Sequence, residues 1–236
     1  MASSRPTFNN AYYLFCALLL LPAVCYCQDY FAPSRATYYG SPRCYGTPTG
    51  ACGYGQYGRD MNDGYVTGVR CTKPQCTEDG VNVVATDYGE GDRTDFILSP
   101  QAYGKMSQPD KTEELFAYGV VDVEFRRIPC RYWGYNLMLK VHERSKQPSY
   151  LAIVILHVAG RNDITDVEFW QEDCQQWRPM RRAYGVVFDL ENPPRGDIYI
   201  RFQVSGTNGV NWVQPKNGIP SNWKAGATYD TQIQLD

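Results

Sequence analysis

Histidine is scarce in this chain: there are two in 236 residues, His142 and His157, and both stand in the second half. The first half therefore lacks a histidine base. Charge of one sign is also lacking, since 23 Lys+Arg against 25 Asp+Glu leave a formal net charge of -2. Such a balance gives no electrostatic footprint for nucleic acid or an anionic membrane. Long apolar runs are missing too. The stretch from Leu14 to Val24 covers 11 residues, against the roughly 20 that a membrane-crossing helix needs. Asn-x-Ser/Thr does not occur, so N-glycosylation is not expected, and no internal repeat is found.

The chain is rich in 19 Tyr, 21 Gly and 9 Cys. Rigid aromatics with turn residues suit short strands better than helices, and an all-β protein is expected. Residues 1–27 hold one charge, Arg5, then the apolar stretch, then Cys25, Tyr26 and Cys27. That is the layout of a secretory signal peptide, and it places the mature chain in an oxidising compartment. Cys16, Cys25 and Cys27 leave with the leader, so Cys44, Cys52, Cys71, Cys76, Cys130 and Cys174 remain and should pair. Six cysteines allow about 15 connectivities. Zinc fits poorly, because Cys71 and Cys76 have four residues between them and the histidines lie far downstream. Structural disulfides are expected, with no metal and no cofactor.

A cut after Cys130 separates residues 28–130 from residues 131–236. All five tryptophans, Trp133, Trp170, Trp177, Trp212 and Trp223, fall in the second part. There Ile198, Ile200, Phe202 and Val204 alternate with polar residues, as a strand with one buried face does. Leu151 to Val158 is nearly all apolar, as a strand covered on both sides would be. Asn136 to Val141, Asp166 to Gln171, Gly185 to Leu190 and Thr231 to Leu235 are further strand candidates. Short strands at this spacing predict a β-sandwich. In the first part, Val121, Val123 and Phe125, and Val81, Val83 and Ala85, alternate likewise. Residues 38–68 read as loop in need of cross-links, and Ser99 with Pro100 predicts the start of one short helix reaching about Ser107.

Six ordered motifs carry a family resemblance: Ala36-Thr37-Tyr38-Tyr39-Gly40, Gly50-Ala51-Cys52-Gly53-Tyr54-Gly55, Arg70-Cys71, Leu98-Ser99-Pro100-Gln101-Ala102-Tyr103, Arg126-Arg127-Ile128-Pro129-Cys130, and the run from Pro220 to Tyr229. The chain resembles the expansins over essentially all of its mature length, and within them the expansin-like B type. The resemblance implies a double-psi β-barrel at 28–130 followed by an immunoglobulin-like β-sandwich at 131–236 that binds carbohydrate. It also implies loosening of plant cell walls without hydrolysis.

Two departures stand out. The family places a His-Phe-Asp triplet before the helix, and its Asp is tied to loosening; here the aligned residues are Asp95-Phe96-Ile97. Between Val69 and Arg70 the family carries a further stretch with a Gly-Cys-Gly-x-Cys segment and a barrel strand, so the barrel here reads as shortened. Cys52 and Cys44 then lose their usual partners, leaving a Cys44 to Cys52 bridge or a poorly folded first domain as the alternatives.

The acidic loop of Asp87, Glu90, Asp92 and Asp95 raises hydrolysis by a pair of carboxylates. A general acid needs burial to raise its pKa, whereas these acids sit among Gly89, Gly91 and Arg93 and read as a solvated loop. No catalytic residue is assigned. Within the resemblance, Thr37, Tyr39 and Asp87 match barrel-groove positions, and the alternative for the first two is an edge strand with one ring packed inward. Tyr150 and Tyr184 match two aromatic positions of the family's polysaccharide platform, and Trp177 is a third candidate that is equally a core tryptophan. Trp212 and Trp223 read as sealing residues and His157 as a packed histidine. The expected partners are wall polysaccharides, cellulose or hemicellulose such as xyloglucan, met by a secreted monomer. A wall-binding or defence protein without loosening activity is the competing reading from outside catalysis.

Overall fold

The computed structural model describes residues 30–39, 50–55, 67–91 and 93–235. The leader at 1–27, Cys44 and Asp92 lie outside the described residues. In the first part, β1 (Ala32–Tyr38), β2 (Thr67–Cys71), β3 (Val81–Val83), β4 (Phe96–Leu98) and β5 (Val121–Arg127) form one sheet in the order β3-β2-β5-β1-β4. Only β1 and β4 run parallel. β1 is thus an inner strand, pairing β5 on one side and β4 on the other, and the edge-strand reading of Thr37 and Tyr39 does not hold. β2 runs unbroken across Val69 and Arg70, paired to β3 and β5, so the sheet edges among the described residues fall on β3 and β4.

The predicted helix is α1 (Pro100–Lys105), with the Ser99 hydroxyl accepting from the Ala102 N–H at 3.1 Å. A second helix, α2 (Thr112–Tyr118), was not expected. Its first turn carries Glu113 and Glu114 and it ends at Gly119, whose φ is 68°, a charge and stop pattern that does mark helices. Tyr103 and Leu115 from the two helices are fully buried with Val69, Leu98, Val121 and Val123.

Of the six cysteines expected to pair, Cys71 and Cys76 form a disulfide, while Cys52, Cys130 and Cys174 are free thiols. The expectation that all six pair is therefore corrected: β2 and the turn after it bring Cys71 and Cys76 together, with Cα atoms 5.7 Å apart, a normal bridging distance.

The second part is a two-sheet sandwich. One sheet joins β6 (Met138–Val141), β7 (Tyr150–Leu156), β10 (Arg181–Tyr184), β11 (Val187–Glu191) and β14 (Thr228–Asp230) in the order β10-β11-β7-β6-β14. The other joins β8 (Asp163–Gln171), β9 (Gln176–Pro179), β12 (Ile200–Gly206) and β13 (Gly209–Val213) in the order β13-β12-β8-β9. Leu139, Val141, Leu151, Ile153, Val167, Phe169, Phe188, Ile200 and Phe202 fill the space between them. Each such side chain contributes about 1.5–3 kcal/mol by leaving water.

β7 is buried on both sides as predicted, yet it stops at Leu156 because His157 adopts a φ of 61°. The final strand lies upstream of the expected one, at Thr228–Asp230 and not at Thr231–Leu235. Residues 231–235 do not continue it, since Gln232 turns to a φ of 58°, although Thr231 N–H still bonds the Leu137 carbonyl at 3.1 Å. Among the described residues no helix is long and apolar enough to cross a membrane.

Candidate functional site

Alternation along β7 sends Leu151, Ile153 and Ile155 into the sandwich core and Tyr150, Ala152, Val154 and Leu156 to the opposite face. Pairing carries that second face across to Val187 and Tyr184, and to Met138 and Lys140. Tyr150 and Tyr184 thus share one face of one sheet, both half-buried against Ala152, Val154 and Val187. Trp177 does not join them. It lies on β9, in the other sheet, where it meets Trp170 edge-on with centroids 5.5 Å apart.

Each tyrosine phenol is held by a polar partner that sequence reasoning did not find. Tyr150 donates to Asp189 Oδ2 at 2.8 Å, and Arg181 closes on the same carboxylate through Nε at 2.9 Å and Nη2 at 2.7 Å. Asp189 is 3% exposed, so its charge needs both partners. Burial, then the Asp189 contact, pushes the Tyr150 phenol up to about 12, while the Arg181 fork holds the Asp189 carboxyl below its usual range. Alternation could assign each residue a face of its own strand, but the pairing that sets Arg181, Asp189 and Ala152 side by side on three strands is not in the sequence pattern.

Tyr184 Oη lies 3.3 Å from Nε2 of buried His142, whose Nδ1 accepts from the Arg144 N–H at 3.1 Å. With Nδ1 an acceptor, the neutral ring carries its proton on Nε2 and donates it to the tyrosine oxygen. Burial lowers the His142 pKa below its ordinary 6.5, with Lys140 and Arg144 adding to the shift and Glu143 opposing it. A histidine depressed in the folded state costs nothing above its unfolded value and destabilises increasingly as pH falls from there toward the folded value. The midpoint of urea unfolding is therefore expected to fall between pH 7.5 and pH 5, and to fall less in His142→Gln, as followed by tryptophan fluorescence.

A segment of the first part covers the edge of this face. Val186 N–H donates to the Cys52 carbonyl at 3.0 Å, and Lys140 Nζ donates to the Tyr54 carbonyl at 3.2 Å and to Glu143. Close approach requires glycine on both sides. A Cβ on Gly185 would stand 2.4 Å from the Cys52 carbonyl oxygen, and one on Gly53 would stand 2.4 Å from Val187 Cγ2. Asp87 belongs to this arrangement, because its Oδ1 accepts from the Ala51 N–H at 2.6 Å and the Tyr88 N–H at 2.8 Å.

The other barrel candidates lie apart from it. Thr37 Oγ1 donates to the Gly119 carbonyl at 2.8 Å, and Tyr39 is 37% exposed. Asp95 accepts from the Ser34 hydroxyl at 2.6 Å. Ile97 packs under the glycine loop, so that a Cβ on Gly89 would approach its Cδ1 to 2.9 Å. Asp87, Glu90 and Asp95 are all exposed.

Comparison with known proteins gives a consistent result. Residues 137–220 match the Expansin C-terminal domain family. Over 236 aligned residues the chain is 55% identical to Expansin-like B1 of Arabidopsis thaliana, covering 92% of this chain and 94% of that one. It is 37% identical to Expansin-like B1 of Oryza sativa subsp. japonica, covering 87% and 88%. The crystal structure of apo Clavibacter michiganensis expansin superimposes with a TM-score of 0.60 at 17% identity, over 87% of this chain and 98% of that one. A mutant of the same bacterial protein, solved in complex with cellohexaose, matches equally well.

Proposed function

Because this chain belongs to the expansin family, in its expansin-like B group, we propose that it is a secreted plant cell-wall protein that binds cellulose or a hemicellulose such as xyloglucan and loosens the wall without cutting it. The observation that carries this reading is the tyrosine face, where Tyr150 and Tyr184 sit on one sheet with their phenols anchored by Asp189 and His142. Pyranoses offer flat C–H faces, and rings already fixed in place lose little freedom on meeting them. The bacterial relative solved with cellohexaose supports a glucan as the ligand class. Domain limits at 28–130 and 131–236 fit this division of labour, the sandwich holding one polymer while the barrel groove with Thr37 and Tyr39 engages a neighbour. Two weak contacts on one chain reinforce each other through effective concentration.

Expansins as a family are generally non-hydrolytic, and two details of this chain suit that character. The position matching the family's loosening Asp is Ile97, packed under Gly89. The Asp87 carboxylate is engaged by two backbone N–H groups, a structural use that suits neither a general acid nor a nucleophile.

The test is cellulose retention, wall extension and reducing-sugar release, measured side by side on the mature protein. Tyr150→Ala with Tyr184→Ala is expected to weaken retention by about tenfold or more, at about 0.5–1.5 kcal/mol per ring. Tyr184→Phe keeps the ring and controls for the hydrogen bond. Unchanged retention in the double variant would falsify the tyrosine face, and sugar release that Asp87→Asn abolishes would make the protein a glycoside hydrolase.

A further inference from the structure

The outer face of the β13-β12-β8-β9 sheet carries a second set of rings, back to back with the tyrosines. Val167, Phe169, Ile200, Phe202 and Val204 point into the core, so Glu168, Trp170, Arg201 and Gln203 stand on the far side. Register places Trp177 beside Trp170 and Trp212 beside Gln203. The Arg201 guanidinium lies 4.7 Å from the ring centroid of Trp177 and 4.7 Å from that of Trp212. Its charge is answered locally, since Nε donates to Glu168 Oε2 at 2.6 Å. Trp170 Nε1 is likewise engaged, donating to Glu172 at 2.7 Å. Trp212 nevertheless remains 42% exposed and Tyr199 46%.

This arrangement selects a ligand chemistry. A guanidinium between two indoles fixes both rings, so a ligand that stacks on them meets groups whose freedom is already spent. The Arg201–Glu168 pair leaves no net charge at the centre, which disfavours a phosphate or polyanion. Gln203 and Thr165, joined by a hydrogen bond of 2.8 Å, border the rings with hydroxyl-compatible donors and acceptors. Flat apolar surface bordered by Gln203, Thr165 and the carboxylates of Asp166 and Glu172 matches an uncharged pyranose, whose hydroxyls can donate to those oxygens, and repels a polyanion. Trp177 and Trp212 are separated by no more than twice their distance to the shared guanidinium, a span that a short oligosaccharide bridges.

We propose that this face is a second contact for an uncharged β-linked glycan, on the side of the sandwich opposite Tyr150 and Tyr184. One molecule then ties two polymer chains together. The proposal takes its ligand class from the function proposed above but stands on different residues, and the experiment separates the two. Cellohexaose is titrated into the mature protein and into two variants, Tyr150→Ala/Tyr184→Ala and Trp212→Ala, with tryptophan emission as the readout. The emission shift is expected to persist in the tyrosine variant and to weaken by about tenfold in Kd in Trp212→Ala. Because Trp212 lies on edge strand β13, a matching thermal midpoint controls for folding, and Arg201→Gln serves as a second variant that frees both indoles without deleting a ring. Suspended cellulose nanocrystals supply the bridging assay. The intact protein flocculates them, and each variant, stripped of one face, binds without flocculating. Flocculation undiminished in both Trp212→Ala and Arg201→Gln, or a concentration-dependent dimer of the free protein that Trp212→Ala abolishes, would overturn the proposal. A tyrosine variant that behaves as wild type while the tryptophan variants fail would instead remove the tyrosine face.

Discussion

Phe202→Ala is expected to lower the stability of the sandwich by about 3–5 kcal/mol. Phe202 is fully buried at the middle of β12, and its neighbours in the core come from both sheets. Deleting the ring removes its transfer free energy and leaves a void that two hydrogen-bonded sheets are poorly able to collapse. β12 also pairs with both β8 and β13, so the damage reaches the strands that carry Trp170 and Trp212. Urea unfolding should show the midpoint displaced with its slope unchanged. A midpoint within error of wild type would mean that the sheets close over the gap, and the sandwich core would have to be redrawn.

Gly185→Ala is the second large effect. Gly185 has a φ of 49°, and a Cβ there would meet the Cys52 carbonyl oxygen at 2.4 Å and its carbon at 2.6 Å. The obstacle is backbone, so no rotamer relieves it; either the 50–55 segment lifts or β10 shifts. The left-handed conformation itself costs a residue with a Cβ about 1 kcal/mol or more. Lifting the segment breaks the Val186–Cys52 hydrogen bond and bares the free thiol of Cys52, which burial and then Asp87 hold above its ordinary pKa. In a Cys44→Ser/Cys130→Ser/Cys174→Ser background, the rate at which a disulfide reagent modifies Cys52 is expected to rise by about tenfold or more, because thiolate and access both increase. A rate equal to the parent would show that the segment does not rest on Gly185.

The residues whose outcome depends only on their neighbours in sequence were readable in advance. Ser99 and Pro100 start a helix by local chemistry, and Ile198 to Val204 show their buried face by alternation. What was not readable depended on a backbone reversal or on a partner from elsewhere in the chain. His157 and Gln232 turn left-handed, which the apolar pattern around them does not announce; β7 therefore stops short of Val158, and the last strand lies at Thr228–Asp230 and not at Thr231–Leu235. Trp177 was grouped with Tyr150 and Tyr184 because sequence shows that a ring is on a strand but not which of two sheets the strand joins. Asp189, Arg181 and His142 are separated from the tyrosines they anchor by as many as 42 residues, and no spacing rule connects them. The cysteines divide the same way: Cys71 and Cys76 are joined by a short turn, whereas a partner for Cys52 or Cys130 would have to come from a distance.

One buried ammonium has a further consequence. Lys140 is 5% exposed, with its charge shared between Glu143 and the Tyr54 carbonyl. Peeling the 50–55 segment away strips that cation of one of its two partners in a poorly hydrated site, an energetically steep step. Partial detachment is thereby suppressed, and heating should melt barrel segment and sandwich in concert, as a single calorimetric peak.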